Sequence, residues 1–269
     1  MKFTNRAQAK RQGKVSYLGS INSSAKLIKN KKVSNNYTYI LYLAPANESG
    51  YNVCPYSTPE CRKGCLSTSG RVKIEVCSNK NVIRKARIRK TQLFFEQREF
   101  FMRWMIAEMQ AYQKKAKYDG YAFSARLNGT SDIVWEDIKL DGKTIFEIFP
   151  DVQFYDYNKH PNRMLKLLPD NYHLTFSYTG RNKPIAKRVL KNGGNVAVIF
   201  NVRKGGKLPQ TWEGFEVIDG DLTDYRPNDG KGVVVGLRWK NIANRQINNE
   251  IKQSQFVVQV DNVNVPELV

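Results

Sequence analysis

The stretch YTYILYLAPANESGYNVCPYSTPECRKGCLSTSGR, residues 37–71, decides how this chain is read. Its first seven residues, Tyr37–Leu43, form an unbroken run of aromatic, aliphatic and β-branched side chains that Ala44-Pro45 ends, which predicts a strand. The rest is rich in Pro, Ser, Thr and Gly and cannot be a core strand. It predicts irregular chain held together by whatever its sulfurs bind. Cys54, Cys61 and Cys65 are followed by Cys77 in the spacing C-x6-C-x3-C-x11-C. The sulfurs are thereby expected at the carboxyl end of a strand, where α/β folds place their chemistry.

Beyond the loop, apolar residues recur at spacings of three, four or seven from Val82 through Leu93, Phe94, Phe101, Trp104, Met105 and Met109 to Tyr112, predicting a helix over 81–116. Short apolar runs then predict strands at 121–127, 152–155, 172–177, 195–200, 215–218 and 233–237, with 255–260 closing or extending the sheet. A helix to residue 149, a short one to 168 and another over 185–191 lie between them. Such alternation marks a parallel sheet with helices outside it. The expected fold class is α/β, a (β/α) barrel-like scaffold, open or incomplete, in one domain over residues 37–269. No G-x-G-x-x-G follows the first strand and no P-loop is present, which weighs against a dinucleotide or nucleotide fold. Residues 1–36 carry nine Lys/Arg and no acid. They are expected as a basic N-terminal arm or loosely packed lead-in reaching along a phosphate backbone, or else as a disordered tail.

Across 269 residues, 44 Lys+Arg against 24 Asp+Glu give a net charge of +20. A hydrophobic content of 41% with fourteen tyrosines supports a real core and excludes a disordered basic chain. The excess of positive charge points to a polyanionic partner, nucleic acid first, and DNA is the nucleic acid expected. No lipidation motif or amphipathic anchor accompanies the charge, so no membrane partner is expected. Without an eighteen-residue apolar run or an apolar leader, the expected location is cytoplasmic. Clustered cysteines in a reducing compartment are more often metal ligands than disulfides.

If the strands are parallel, their carboxyl ends gather polar residues around one mouth. Asp132, Asp156 and Glu136 are the candidate catalytic carboxylates, because glycosidic chemistry needs one carboxylate at an oxocarbenium-like centre and a second acid for the leaving base. Arg126, Asn128, Tyr157, Asn158 and Arg181 are candidate substrate-binding residues. Arg84, Lys85, Arg87, Arg89 and Lys90 form a basic run beside the cysteine loop and are candidates for holding phosphates. Cys54, Cys61 and Cys65 are candidate metal ligands. Cys77 is either the fourth ligand, which would close a zinc site, or a separate thiol, leaving three ligands with an open position as in an iron–sulfur cluster.

The segments CPYSTPECRKGCLSTSGR, KARIRKTQLFF, ARLNGTSDIVWE, FPDVQFYDYNKHPNRM, NYHLTFSYTGRN and VIDGD resemble a family of phage-encoded proteins with a Cys-rich loop after the first strand. That resemblance implies a phage or mobile-element setting. The layout is also distantly similar to a radical S-adenosylmethionine barrel, which would make Cys54, Cys61 and Cys65 ligands of a [4Fe–4S] cluster and add S-adenosylmethionine as a cofactor. The spacing departs from the C-x3-C-x2-C of that superfamily, and Asn128-Gly129-Thr130 stands near the place of its Gly-Gly-Glu turn. A looser likeness is to tRNA-guanine transglycosylases, whose zinc cysteines come late in the chain. The expected function is a phage-type enzyme that binds nucleic acid and modifies or exchanges a base. The alternative is a non-catalytic nucleic-acid-binding protein stapled by zinc.

Overall fold

A computed structural model describes residues 6–21, 25–65, 81–242 and 244–260, and in it the apolar run at Tyr37 is a strand buried along its whole length. In chain order the strands are β1 (Gly19–Ser20), β2 (Asn36–Leu41), β3 (Ala122–Arg126), β4 (Lys139–Leu140), β5 (Lys143–Thr144), β6 (Gln153–Asn158), β7 (Tyr172–Ser177), β8 (Asn195–Phe200), β9 (Thr211–Trp212), β10 (Phe215–Asp219) and β11 (Val234–Arg238). The helices are α1 (Arg6–Gly13), α2 (Ala25–Ser34), α3 (Pro59–Lys63), α4 (Val82–Glu96), α5 (Arg98–Tyr118), α6 (Ile145–Ile148), α7 (Lys183–Lys191) and α8 (Arg245–Gln253).

Among the described residues nine strands form one sheet in the order β1-β2-β3-β6-β7-β8-β11-β10-β9. The pairs β2–β3, β3–β6, β7–β8, β8–β11 and β11–β10 are parallel, with Tyr39 opposite Ala125 and Val235 opposite Ala197. The two-residue strands β1 and β9 add antiparallel edges. The α/β class with a mostly parallel sheet is as expected, but among the described residues the sheet is open and closes into no barrel. Two features account for this. β1 occupies the edge of β2 where a closing strand would pair, and β11 inserts between β8 and β10, so the strand series doubles back.

Local differences from the expected elements have local causes. The helix expected over 81–116 breaks into α4 and α5 at Gln97, whose φ of −136° and ψ of 55° are not helical. The helix expected up to residue 149 is a 3-10 turn at Trp135–Asp137, the hairpin β4–β5 and the short α6, which a Thr144/Glu147 capping box starts. The turn residues Asp141 and Gly142 both have positive φ, 51° and 81°, as a two-residue hairpin demands. The run at 255–260 contributes one isolated parallel bridge, Phe200 to Val258, in place of a strand.

The chain divides into two compact units. The first comprises residues 1–55, 74–156 and 167–173, the second 56–73, 157–166 and 174–269. In the first unit Trp104, Trp135, Tyr39, Phe94, Phe101 and Phe154 are fully buried, with Phe94 edge-on to Phe101 and Trp135. Each such side chain contributes about 2–3 kcal/mol by leaving water. Ala9, Leu18 and Ile21 are buried, and the Glu108 carboxylate of α5 accepts hydrogen bonds from the Leu18 and Gly19 N–H groups, at 3.0 Å each, and from the Tyr39 hydroxyl. The second unit is centred on Phe176, Val189, Leu190, Val196, Val198, Phe200 and Val234. A smaller cluster there joins Ile242, Ile251, Phe256 and Val257, with Cys61 and Trp239 packed against it. Among the described residues no helix is long and apolar enough to cross a membrane.

Candidate functional site

In the first unit, β2 and β3 run in parallel and the chain leaving β3 folds back over the end of β2. The Gly129 N–H donates to the Leu41 carbonyl at 3.0 Å, and the Thr130 hydroxyl to the Leu43 carbonyl at 2.5 Å. Glycine is required at 129, because a Cβ there would stand 2.6 Å from the Leu41 carbonyl oxygen and 2.8 Å from the Tyr42 ring. The Asp132 N–H donates to the Val53 carbonyl at 2.8 Å, and the Cys54 sulfur lies 3.6 Å from the Thr130 carbonyl. Cys54, Asn128, Asp132 and Asp156 are therefore brought together at the carboxyl ends of β2, β3 and β6.

Within this group the side chains divide by what they already hold. The Asp156 carboxylate, 1% exposed, accepts from the Asn128 N–H at 2.9 Å, the Leu127 N–H at 3.3 Å and the Tyr172 hydroxyl at 3.1 Å. The Asn128 amide oxygen accepts from the Ser131 hydroxyl, the Ile133 N–H and the Trp135 indole, and its amide nitrogen donates to the Ile133 carbonyl. Both residues shape the turn. Asp132 is buried, Glu136 is half-buried, and the buried Arg126 guanidinium lies 5.6 Å from the Tyr155 ring centre.

The basic run lies on α4, whose first turn is capped by the Asn81 side chain accepting from the Arg84 N–H. Arg84 pairs with Glu48, Lys85 is exposed, Arg87 covers the Tyr42 ring at 4.8 Å, and Arg89 donates to the Gly13 carbonyl at 3.1 Å. Lys90 differs from these four, being only 6% exposed. Burial lowers its pKa to about 8, with the neighbouring Arg87 acting in the same direction and Glu108 opposing.

The second unit holds the remaining candidates. Cys61 lies in α3, whose N-terminus is capped by Thr58, and it packs on the Ile251 cluster. Arg181 meets Glu60 at 2.8 Å. Asn158 ends β6 fully buried, and neither atom of its amide has a hydrogen-bond partner among the described residues. Tyr157 beside it is half-buried. Asp219 and Asp221 both engage Arg238.

Tyr172 in this arrangement, and Glu108 in the core of the first unit, did not stand out in the sequence. Glu108 had a signal, since an acid on the helix face of Phe101, Trp104, Met105 and Met109 must be buried. Tyr172 had none, because a tyrosine in a strand is ordinary. Among the described residues no three His, Cys, Asp or Glu side chains form a group that could hold a metal ion, and Cys77 lies outside the described residues. The Cys54, Cys61 and Cys65 set thus gives no metal geometry from which a step can be built. A family described as Gene product 88 matches residues 2–259, in keeping with the phage-encoded family that the motifs resemble. No curated protein matches the chain, and no solved structure does.

Proposed function

The chain belongs to the Gene product 88 family, and from that premise we propose that it is a phage-type nucleic-acid-binding enzyme that alters a base. The observation that carries this reading is the bound-down turn from Leu127 to Asp132, which fixes a buried carboxylate at the carboxyl ends of parallel strands in a chain of charge +20. Strand carboxyl ends are where open α/β sheets bind ligands, and the charge favours a polyanion.

Asp132 is the reacting carboxylate in this proposal. It would stabilise positive charge developing at the sugar carbon, while Glu136 protonates the leaving base. Asp156 and Asn128 are positioning residues, since their polar atoms already hold the turn. Arg126 orients the substrate, and Arg84, Lys85, Arg87 and Arg89 bind phosphates. A metal on the cysteines remains part of the proposal, and elemental analysis of anaerobically purified protein distinguishes zinc from iron with sulfide.

The test is nucleoside composition of DNA and RNA from cells making wild-type protein or Asp132→Asn. An altered nucleoside is expected with wild type, falling at least a hundredfold with Asp132→Asn, while oligonucleotide affinity stays within twofold. Unaltered nucleosides with wild-type protein and retained binding would replace this reading with a non-catalytic binder.

A further inference from the structure

Lys90 is a long basic side chain that the base chemistry above does not use. It lies on α4, nine-tenths buried, with its Nζ 4.6 Å from the centre of the Tyr17 ring. The acid that influences it, Glu108, has its carboxylate engaged by the Leu18 and Gly19 N–H groups and the Tyr39 hydroxyl. Among the described residues no ion pair or hydrogen bond anchors the ammonium. A buried structural lysine is normally paired, because an unpaired buried charge is costly. What covers this amine is Tyr17, a loop residue between α1 and β1 that is itself 48% exposed.

We propose that Lys90 is a nucleophilic amine for an anionic aldehyde or ketone, with Tyr17 as its movable cover. The Nζ lone pair attacks the carbonyl carbon, the carbonyl oxygen takes up a proton to give a carbinolamine, and loss of water leaves an imine that hydrolysis reverses. Arg87, on the preceding turn of α4, draws the anionic group of the substrate. The inference shares Arg87 with the proposed phosphate contacts but involves neither Asp132 nor Asp156, so its test does not depend on the base-altering reaction. The low pKa of Lys90 supports it. At pH 7.5 an amine with pKa about 8 is about one-quarter unprotonated, against roughly one part in a thousand for an ordinary lysine.

Pyridoxal 5′-phosphate with borohydride, followed by peptide mapping of the intact folded protein, tests this. Lys90 is expected to be labelled at least tenfold faster than Lys85, the exposed lysine on the same helix, with a rate that rises to a plateau above about pH 8. Tyr17→Ala is expected to speed labelling of Lys90 several-fold and leave Lys85 unchanged. Labelling of Lys90 no faster than Lys85 overturns the proposal. So does a Tyr17→Ala protein whose Lys90 labels at the wild-type rate.

Discussion

Asp156 in the first unit and Asp219 in the second stand at or near the carboxyl ends of parallel strands, yet they are held differently. Asp156 is 1% exposed and gathers two backbone N–H groups and a tyrosine hydroxyl. The Asp219 side chain is 29% exposed and makes a two-pronged ion pair with Arg238, at 2.7 and 2.9 Å. The first arrangement spends a carboxylate on backbone geometry and fixes a turn. The second neutralises charge near the surface, where water screens it. A preorganised site is therefore sought at the strand ends of the first unit.

The widest gap between the two regions should appear on truncation. Asp156→Ala leaves three donors without their acceptor in the interior and is expected to cost about 3–5 kcal/mol in urea unfolding, against about 1–2 kcal/mol for Asp219→Ala. Equal costs would break the comparison.

The units should also respond to pH with opposite sign. Lys90 has a folded pKa of about 8, below its unfolded value, so between pH 8 and 10.5 the unfolded chain binds more protons. Wild type should therefore gain up to roughly 3 kcal/mol relative to Lys90→Met as pH rises through that window. Asp229 in the second unit is pushed up to about 6 by burial, with Arg226 at 3.1 Å pulling it down. Its contribution is full below about pH 4 and is lost as pH rises through 6, so wild type should weaken there relative to Asp229→Asn. Thermal melts across both windows measure the two slopes.

A smaller effect sharpens the view of the first unit. Gly129→Ala should cost about 2 kcal/mol, because the new methyl meets a backbone carbonyl that cannot move aside. The least effect is expected from Arg181→Ala, whose partner Glu60 is reached from a side chain 63% exposed. Its loss should change stability by less than about 1 kcal/mol.

The parallel sheet was legible because apolar strands such as Tyr37–Leu43 and Asn195–Phe200 are short, continuous and bounded by turn residues. Strand order was not, because nothing in Phe215–Asp219 or Val234–Arg238 records which of them lies next to β8. The Leu140-Asp141-Gly142-Lys143 turn was a readable hairpin signal, overlooked because the flanking strands are only two residues long. Asn128, Asp132 and Asp156 were recognisable as strand-end polar residues, but which of them hold the turn depends on hydrogen bonds between distant segments. The burial of Ala9, Leu18 and Ile21 was not legible, because nine cations surround them in the sequence and Glu108, which holds Leu18, lies some ninety residues away.

The two margins of the sheet are finished by β1 and β9, each two residues long and antiparallel to its neighbour. A margin so short offers a foreign chain hardly any unmet amide or carbonyl groups to zip onto. Short edge strands are one means of limiting strand addition by a foreign chain, which leaves the cationic surface to the polymer it is proposed to grip.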